Sequence, residues 1–136
     1  MAGTFEISRT RPALIALVGL ACSDTLSPSA CLDGVTFTVG PGTEPTFDWK
    51  PACRVSQLEV RSVDNPVVRM WSVGSPRPAL RPPIRYGEVP DEAGAIGTTP
   101  ASPLSPGSAY HLRLLATFST PVGFNSVELG GVDFVP

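Results

Sequence analysis

Charge is scarce in this chain, and uninterrupted helix-forming sequence is scarcer. Only 16% of its 136 residues are charged, against roughly a quarter in an ordinary globular domain. Lysine occurs once, as Lys50, and histidine once, as His111. A net charge of −2 offers no basic surface to a polyanion, so nucleic acid is not an expected partner. With one imidazole available, any histidine-dependent acid–base or nucleophilic site has to be built on His111. The sequence contains no Gly-x-Ser-x-Gly elbow for a serine nucleophile and no Asp-x-Asp spacing for a calcium loop. Cys31 and Cys53 with one distant histidine do not make a metal-ligand set, and no cofactor is expected. What is plentiful is Pro (16) and Gly (13). Beyond residue 22, no stretch of a dozen residues combines helical periodicity with freedom from Pro, Gly and β-branched residues. The expectation is a body of short strands and turns, one domain in size.

The longest apolar run lies near the N-terminus. Arg9 and Arg11 precede ten residues, Pro12 to Ala21, and Cys22 follows at once. That is the order of a secretory signal: basic segment, apolar segment, cleavage site. As a helix the run would rise only ~15 Å, about half of a ~30 Å hydrocarbon core, so it is too short to span a bilayer. The site resembles the lipobox of bacterial lipoproteins, in which a lipid-modified cysteine becomes the first mature residue. That resemblance assigns lipidation to Cys22 and attaches the protein to a membrane. Ala21 fits the pattern, whereas Gly19 and Leu20 stand where the family prefers Leu and a small residue. Gly19 and Ala21 also satisfy the small-x-small rule of ordinary cleavage, which would release a soluble secreted protein. Residues 1–21 are thus read as signal peptide, with a signal helix, and 22–33 as a small, polar tether.

An odd thiol in an oxidising compartment is a liability. With Cys22 lipidated, Cys31 and Cys53 remain as a pair. They flank the first two expected strands, and in an antiparallel hairpin the start of one strand lies beside the end of the next. Closing that loop contributes about 3 kcal/mol in the chain-entropy model. Two unpaired thiols are the alternative.

From residue 34 apolar side chains recur every second position. Val35, Phe37 and Val39 alternate with threonines; Phe47 and Trp49 alternate with Asp48 and Lys50. Leu58 and Val60 oppose Gln57, Glu59 and Arg61, and a further strand runs from Val67 to Val73. Residues 74–106 hold eight of the sixteen prolines, which confines them to loop, extended chain or a short edge strand such as Ile84–Tyr86. Tyr110 to Phe118 is the clearest strand, with Tyr110, Leu112, Leu114, Ala116 and Phe118 on one face and His111, Arg113 and Thr117 on the other. Val127 and Leu129 are out of phase with Val132 and Phe134 across Gly130-Gly131, so a bulge at the glycines is required to bring both pairs inward. The whole predicts an all-β antiparallel sandwich of six to seven strands over 34–136.

Two segments resemble fibronectin type III domains. Phe47-Asp48-Trp49-Lys50-Pro51 is similar to that family's early strand, whose Trp fills the core. Leu104-Ser105-Pro106-Gly107-Ser108-Ala109-Tyr110 is similar to its L-x-P-G-x-x-Y signature. The resemblance implies that Leu104 seals one end of the core, that Pro106-Gly107 turns the chain between sheets, and that Tyr110 forms a tyrosine corner. The Pro-rich stretch and the Cys31/Cys53 pair depart from the family pattern. For function the match implies a spacer or binding module rather than an enzyme.

If Val68 and Met70 face inward, alternation sends Trp71 outward beside Arg69. An exposed Trp71 with Tyr86 could stack on a sugar or anchor a protein partner; the alternative is that Trp71 packs against Tyr86. His111, the Asp91-Glu92 turn, and Arg77, Arg81 and Arg85 read as solvated. The expected function is a lipid-anchored, non-enzymatic module of the extracytoplasmic cell envelope with an unknown protein or glycan partner. A secreted carbohydrate-binding module is the alternative.

Overall fold

The computed structural model describes residues 27–136. The signal segment 1–21 with its expected helix, the lipidation candidate Cys22, and the start of the tether lie outside the described residues. A turn of 3-10 helix at Pro28–Cys31 leads into eight strands. These are β1 (Thr36–Val39), β2 (Thr46–Lys50), β3 (Gln57–Ser62), β4 (Arg69–Gly74), β5 (Ile84–Arg85), β6 (Gly94–Thr99), β7 (Tyr110–Thr120) and β8 (Gly123–Phe134). Among the described residues no helix is long and apolar enough to cross a membrane.

The strands form two antiparallel sheets, a three-stranded one in the order β1-β2-β5 and a five-stranded one in the order β6-β4-β3-β7-β8. The period-two pattern explains the layering. Phe47 and Trp49 of β2 and Ile84 of β5 face Leu58 and Val60 of β3, Trp71 and Val73 of β4, and Leu112, Leu114 and Ala116 of β7 in one buried cluster. An aromatic chain ties the layers: Trp71 lies 5.2 Å from Tyr86 and 6.2 Å from Phe47, and Phe134 lies 5.4 Å from Phe47 and 5.9 Å from Tyr110, measured between ring centroids.

Eight strands exceed the six to seven expected, and the addition is β6, inside the Pro-rich stretch. Its sequence, Gly-Ala-Ile-Gly-Thr-Thr, has no alternating apolar face because it lies on the edge of the sheet beside β4. The hydroxyl of Ser72 in β4 donates to the carbonyl of Gly97 at 2.7 Å, and Gly74 is approached so closely by the Ile96 carbonyl that a Cβ there would meet it at 2.8 Å.

Two bulges reset the pattern. In β8 the partner of Leu114 is Gly130 and that of Leu115 is Glu128, which leaves Leu129 as the extra residue. Both Leu129 and Phe134 are buried in consequence. In β4, Val60 pairs with Trp71 but Arg61 pairs with Arg69, so Met70 is the extra residue. Arg69 is thereby turned to the outer face of the sheet and Trp71 to the inner one. Trp71 is 1% exposed and packs against Tyr86, so the packing alternative holds and the outward placement from simple alternation is corrected.

Candidate functional site

Cys31 and Cys53 are joined by a disulfide with their Cα atoms 6.1 Å apart. The bond closes the hairpin of β1 and β2 at the pole where Thr36 pairs with Lys50. Trp49, buried on the same strand, donates its indole N–H to the Cys53 carbonyl at 3.0 Å, so the ring's one polar atom is satisfied inside the core. At the opposite pole, Ser105 to Ser108 form a turn closed by a 3.2 Å bond from Ser108 N–H to the Ser105 carbonyl. Gly107 has φ +82°. Proline followed by a glycine at positive φ is the demand of a type II turn. The Tyr110 hydroxyl accepts the Ser105 N–H at 2.8 Å, and Leu104 is buried beside it.

Trp71 and Tyr86, the sequence candidates for ligand binding, are brought together but inside the protein. Tyr86 is 5% exposed, and its hydroxyl lies 2.5 Å from the Ser102 carbonyl and 3.2 Å from that of Met70. Burial, with a smaller contribution from Tyr110, pushes the phenol up to about 12. Neither ring presents a face to a sugar, and both are core packing in this fold.

The outer face of the five-stranded sheet is polar and organised by a residue that sequence reasoning had no means to single out. Glu59 is buried, and its Oε1 accepts Arg61 Nε at 2.5 Å and Arg113 Nε at 2.8 Å, while its Oε2 is ion-paired with Arg69, whose Nε lies 2.8 Å away. Desolvation alone would raise the Glu59 pKa. The hydrogen bond from Arg61, the charge and hydrogen bond of Arg113, and the charge of Arg69 outweigh it and hold the carboxyl below its ordinary value. Three arginines from three strands (β3, β4 and β7) converge on one carboxylate, and only the strand register reveals this. On the same face His111 Nδ1 lies 2.5 Å from Asp133 Oδ1 across the β7–β8 pair. A Cβ at Gly131 would meet the imidazole at 2.6 Å and the backbone carbonyl of Leu112 at 2.9 Å. Among the described residues no hydroxyl or thiol hydrogen-bonds to His111, and no group of three or more His, Cys, Asp or Glu is placed to hold a metal ion.

Among the described residues, two of the three most exposed large apolar side chains, Val122 and Ile96, lie at the β7–β8 turn and near its base. β3 pairs with β7 only as far as Leu115, but β7 and β8 continue pairing from Ala116–Val127 to Thr120–Gly123. The hairpin therefore stands beyond the sheet as a two-stranded arm. Residues 116–127 of this arm contain no charged side chain. Val122 at its tip is 97% exposed and Phe124 78% exposed, and Ile96 of β6, 89% exposed, stands near the arm's base. Two clefts flank the arm. One, of about 440 Å³, is lined by Gln57, Gly74, Ile96, Thr117 and Phe124; the other, of about 560 Å³, by Pro76, Arg77, Pro78, Phe118 and Phe124. Sequence reading missed the arm because Ser119-Thr120-Pro121 reads as the end of a strand.

The arm and the disulfide share a pole. Cys53 is three residues from Ser56, whose N–H donates to the Leu115 carbonyl at 2.9 Å and whose hydroxyl accepts the Thr117 N–H at 2.9 Å. The chain entering the domain at Ser27 is thus bonded, through Cys31, beside the root of the arm. Compared with known proteins, the chain matches no family model, no curated protein and no solved structure.

Proposed function

We propose that this protein is an exported, non-enzymatic binding or assembly module of the bacterial cell envelope, held at a membrane by lipid on Cys22. The observation that carries the reading is the Cys31–Cys53 bond. A disulfide belongs to an oxidising compartment, and pairing those two cysteines leaves Cys22, directly behind the apolar run, as the odd one. A lipidated thiol needs no partner. The fibronectin type III-like character is supported by the tyrosine corner at Tyr110, by the buried Trp49 and by a two-sheet order in which β2 pairs with β5 while β3 pairs with β7. In this reading the outer face of the five-stranded sheet, with its Glu59 arginine cluster, is left open to an envelope partner. The carbohydrate-binding alternative loses its basis with Trp71 and Tyr86 buried.

Fractionation tests the anchor. Expressed from its own N-terminus in a bacterial host, the protein is expected in the membrane fraction, extractable by detergent but not by high salt. Cys22→Ser should move it to the soluble fraction or leave it as unprocessed precursor. A wild-type chain found wholly in the soluble extracytoplasmic fraction would assign it to the secreted class instead.

A further inference from the structure

We propose that the β7–β8 arm is a membrane-contacting finger, whose tip residues Val122 and Phe124 rest in the lipid headgroup region of the bilayer to which the chain is anchored. The inference rests on the lipid-anchored reading of Cys22 for its orientation, and on the structure for everything else.

Reach is the first reason. Cys22 and Ser27 are five residues apart, so the leash extends at most roughly 17 Å when fully drawn out. Past Thr117, which Ser56 still holds, β7 adds the three residues Phe118 to Thr120, a projection of roughly 10 Å. Leash and arm leave the same pole, because Cys31 is bonded to Cys53 and Ser56 holds Leu115 and Thr117. A domain tethered that closely, with that pole toward the bilayer, brings the tip to the headgroups.

Composition is the second. Insertion of a charged side chain into the interface is costly, and the arm has none over twelve residues. At its base stands Arg77, in the cleft beside Phe118 and Phe124. A long basic side chain next to an apolar, aromatic tip can reach an anionic headgroup while the tip enters deeper. Of the acids at this pole, Glu128 pairs with Leu115 at the root of the arm and faces Arg113, and Asp33, Asp91 and Glu92 are the others; Leu32, next to Cys31, adds exposed apolar surface. The opposite pole exposes Val67 and Val68 too, but in a turn with Asp64 and with Arg61 bonded to the Pro66 carbonyl.

The test is Phe124→Trp in the full chain, mixed with vesicles of phosphatidylethanolamine and phosphatidylglycerol with or without brominated acyl chains. Trp49 and Trp71 are buried and supply a constant background. The added indole is expected to shift its emission to the blue on vesicles and to lose at least half its intensity with brominated lipid. Val67→Trp, on the other pole, should do neither. An acylated, vesicle-bound Phe124→Trp chain whose added indole stays unquenched would overturn the finger while leaving the anchor intact. If mass spectrometry finds Cys22 unacylated, the anchor fails on its own, and the finger is then judged on the unacylated chain at excess lipid, where quenching supports it and no quenching overturns it. A blue shift that needs no lipid and grows with protein concentration would assign the tip to a second copy of the chain and also overturn the proposal.

Discussion

The indole N–H of Trp49 is hydrogen-bonded to the carbonyl of Cys53, 3.0 Å away, so one core side chain and the disulfide fix the same pole of the sandwich. The Cys31–Cys53 bond spans 22 residues, and the unfolded chain gains the freedom of that loop when it is cut.

Reduction, or Cys31→Ser with Cys53→Ser, is therefore expected to lower stability by about 3 kcal/mol. Denaturant unfolding with and without reductant measures it directly. An unchanged midpoint would mean that the bond adds nothing to the core already packed around Trp49.

Trp71→Ala should cost about 3–5 kcal/mol, the range for emptying a large aromatic site in a core. The measurement is chemical denaturation, read by circular dichroism. A variant that keeps wild-type stability would return Trp71 to the surface and revive a ligand-binding role for it.

Tyr110→Phe keeps the ring against Phe134 and removes only the acceptor for the Ser105 N–H. A loss of about 1 kcal/mol is expected, seen as a lower denaturation midpoint with an unchanged slope. Pro106 and Gly107 set the turn that brings Ser105 to the hydroxyl, so Gly107→Val should cost at least as much, through strain at positive φ.

Acid sensitivity should trace to Glu59. Its folded pKa lies below the unfolded one, so its contribution is fully present above the unfolded carboxylate value of about 4.3. That contribution is lost as pH falls through the folded value. Glu59→Gln is expected to be destabilised by about 1–3 kcal/mol at pH 7, less than for a fully buried pair because each arginine keeps part of its surface in water. Its stability should also fall less steeply than wild type on acidification below about pH 4. Parallel pH curves for the two proteins would remove Glu59 from the account.

The sequence made the strands legible wherever one face is buried and the other is wet. Phe47 and Trp49, Leu58 and Val60, and the Tyr110–Phe118 alternation all lie on strands, and the bulge needed near Gly130 is present, at Leu129. The cysteine pair was legible from parity and the hairpin. The outward face drawn for Trp71 failed because an extra residue at Met70 inverts the face of everything after it, and with Val67, Val68, Met70 and Trp71 apolar at both parities the sequence shows no break in period there. β6 was hidden because an edge strand held by Ser72 and Thr98 needs no apolar alternation. The Glu59 cluster depends on Arg61, Arg69 and Arg113, up to 52 residues apart in sequence and adjacent only after the sheet is in register.

The pairing of cysteines, and the fate of the one left over, is the point on which compartment, anchor and orientation all depend. Mass spectrometry of non-reduced peptides from the native protein tests it most directly. The expected result is a cross-linked peptide joining Cys31 to Cys53, together with a mature N-terminal peptide that begins at Cys22 and carries a diacyl- or triacylglyceryl mass. Free thiols at Cys31 and Cys53, a bridge from either of them to Cys22, or a mature chain with an unmodified Cys22 would contradict it.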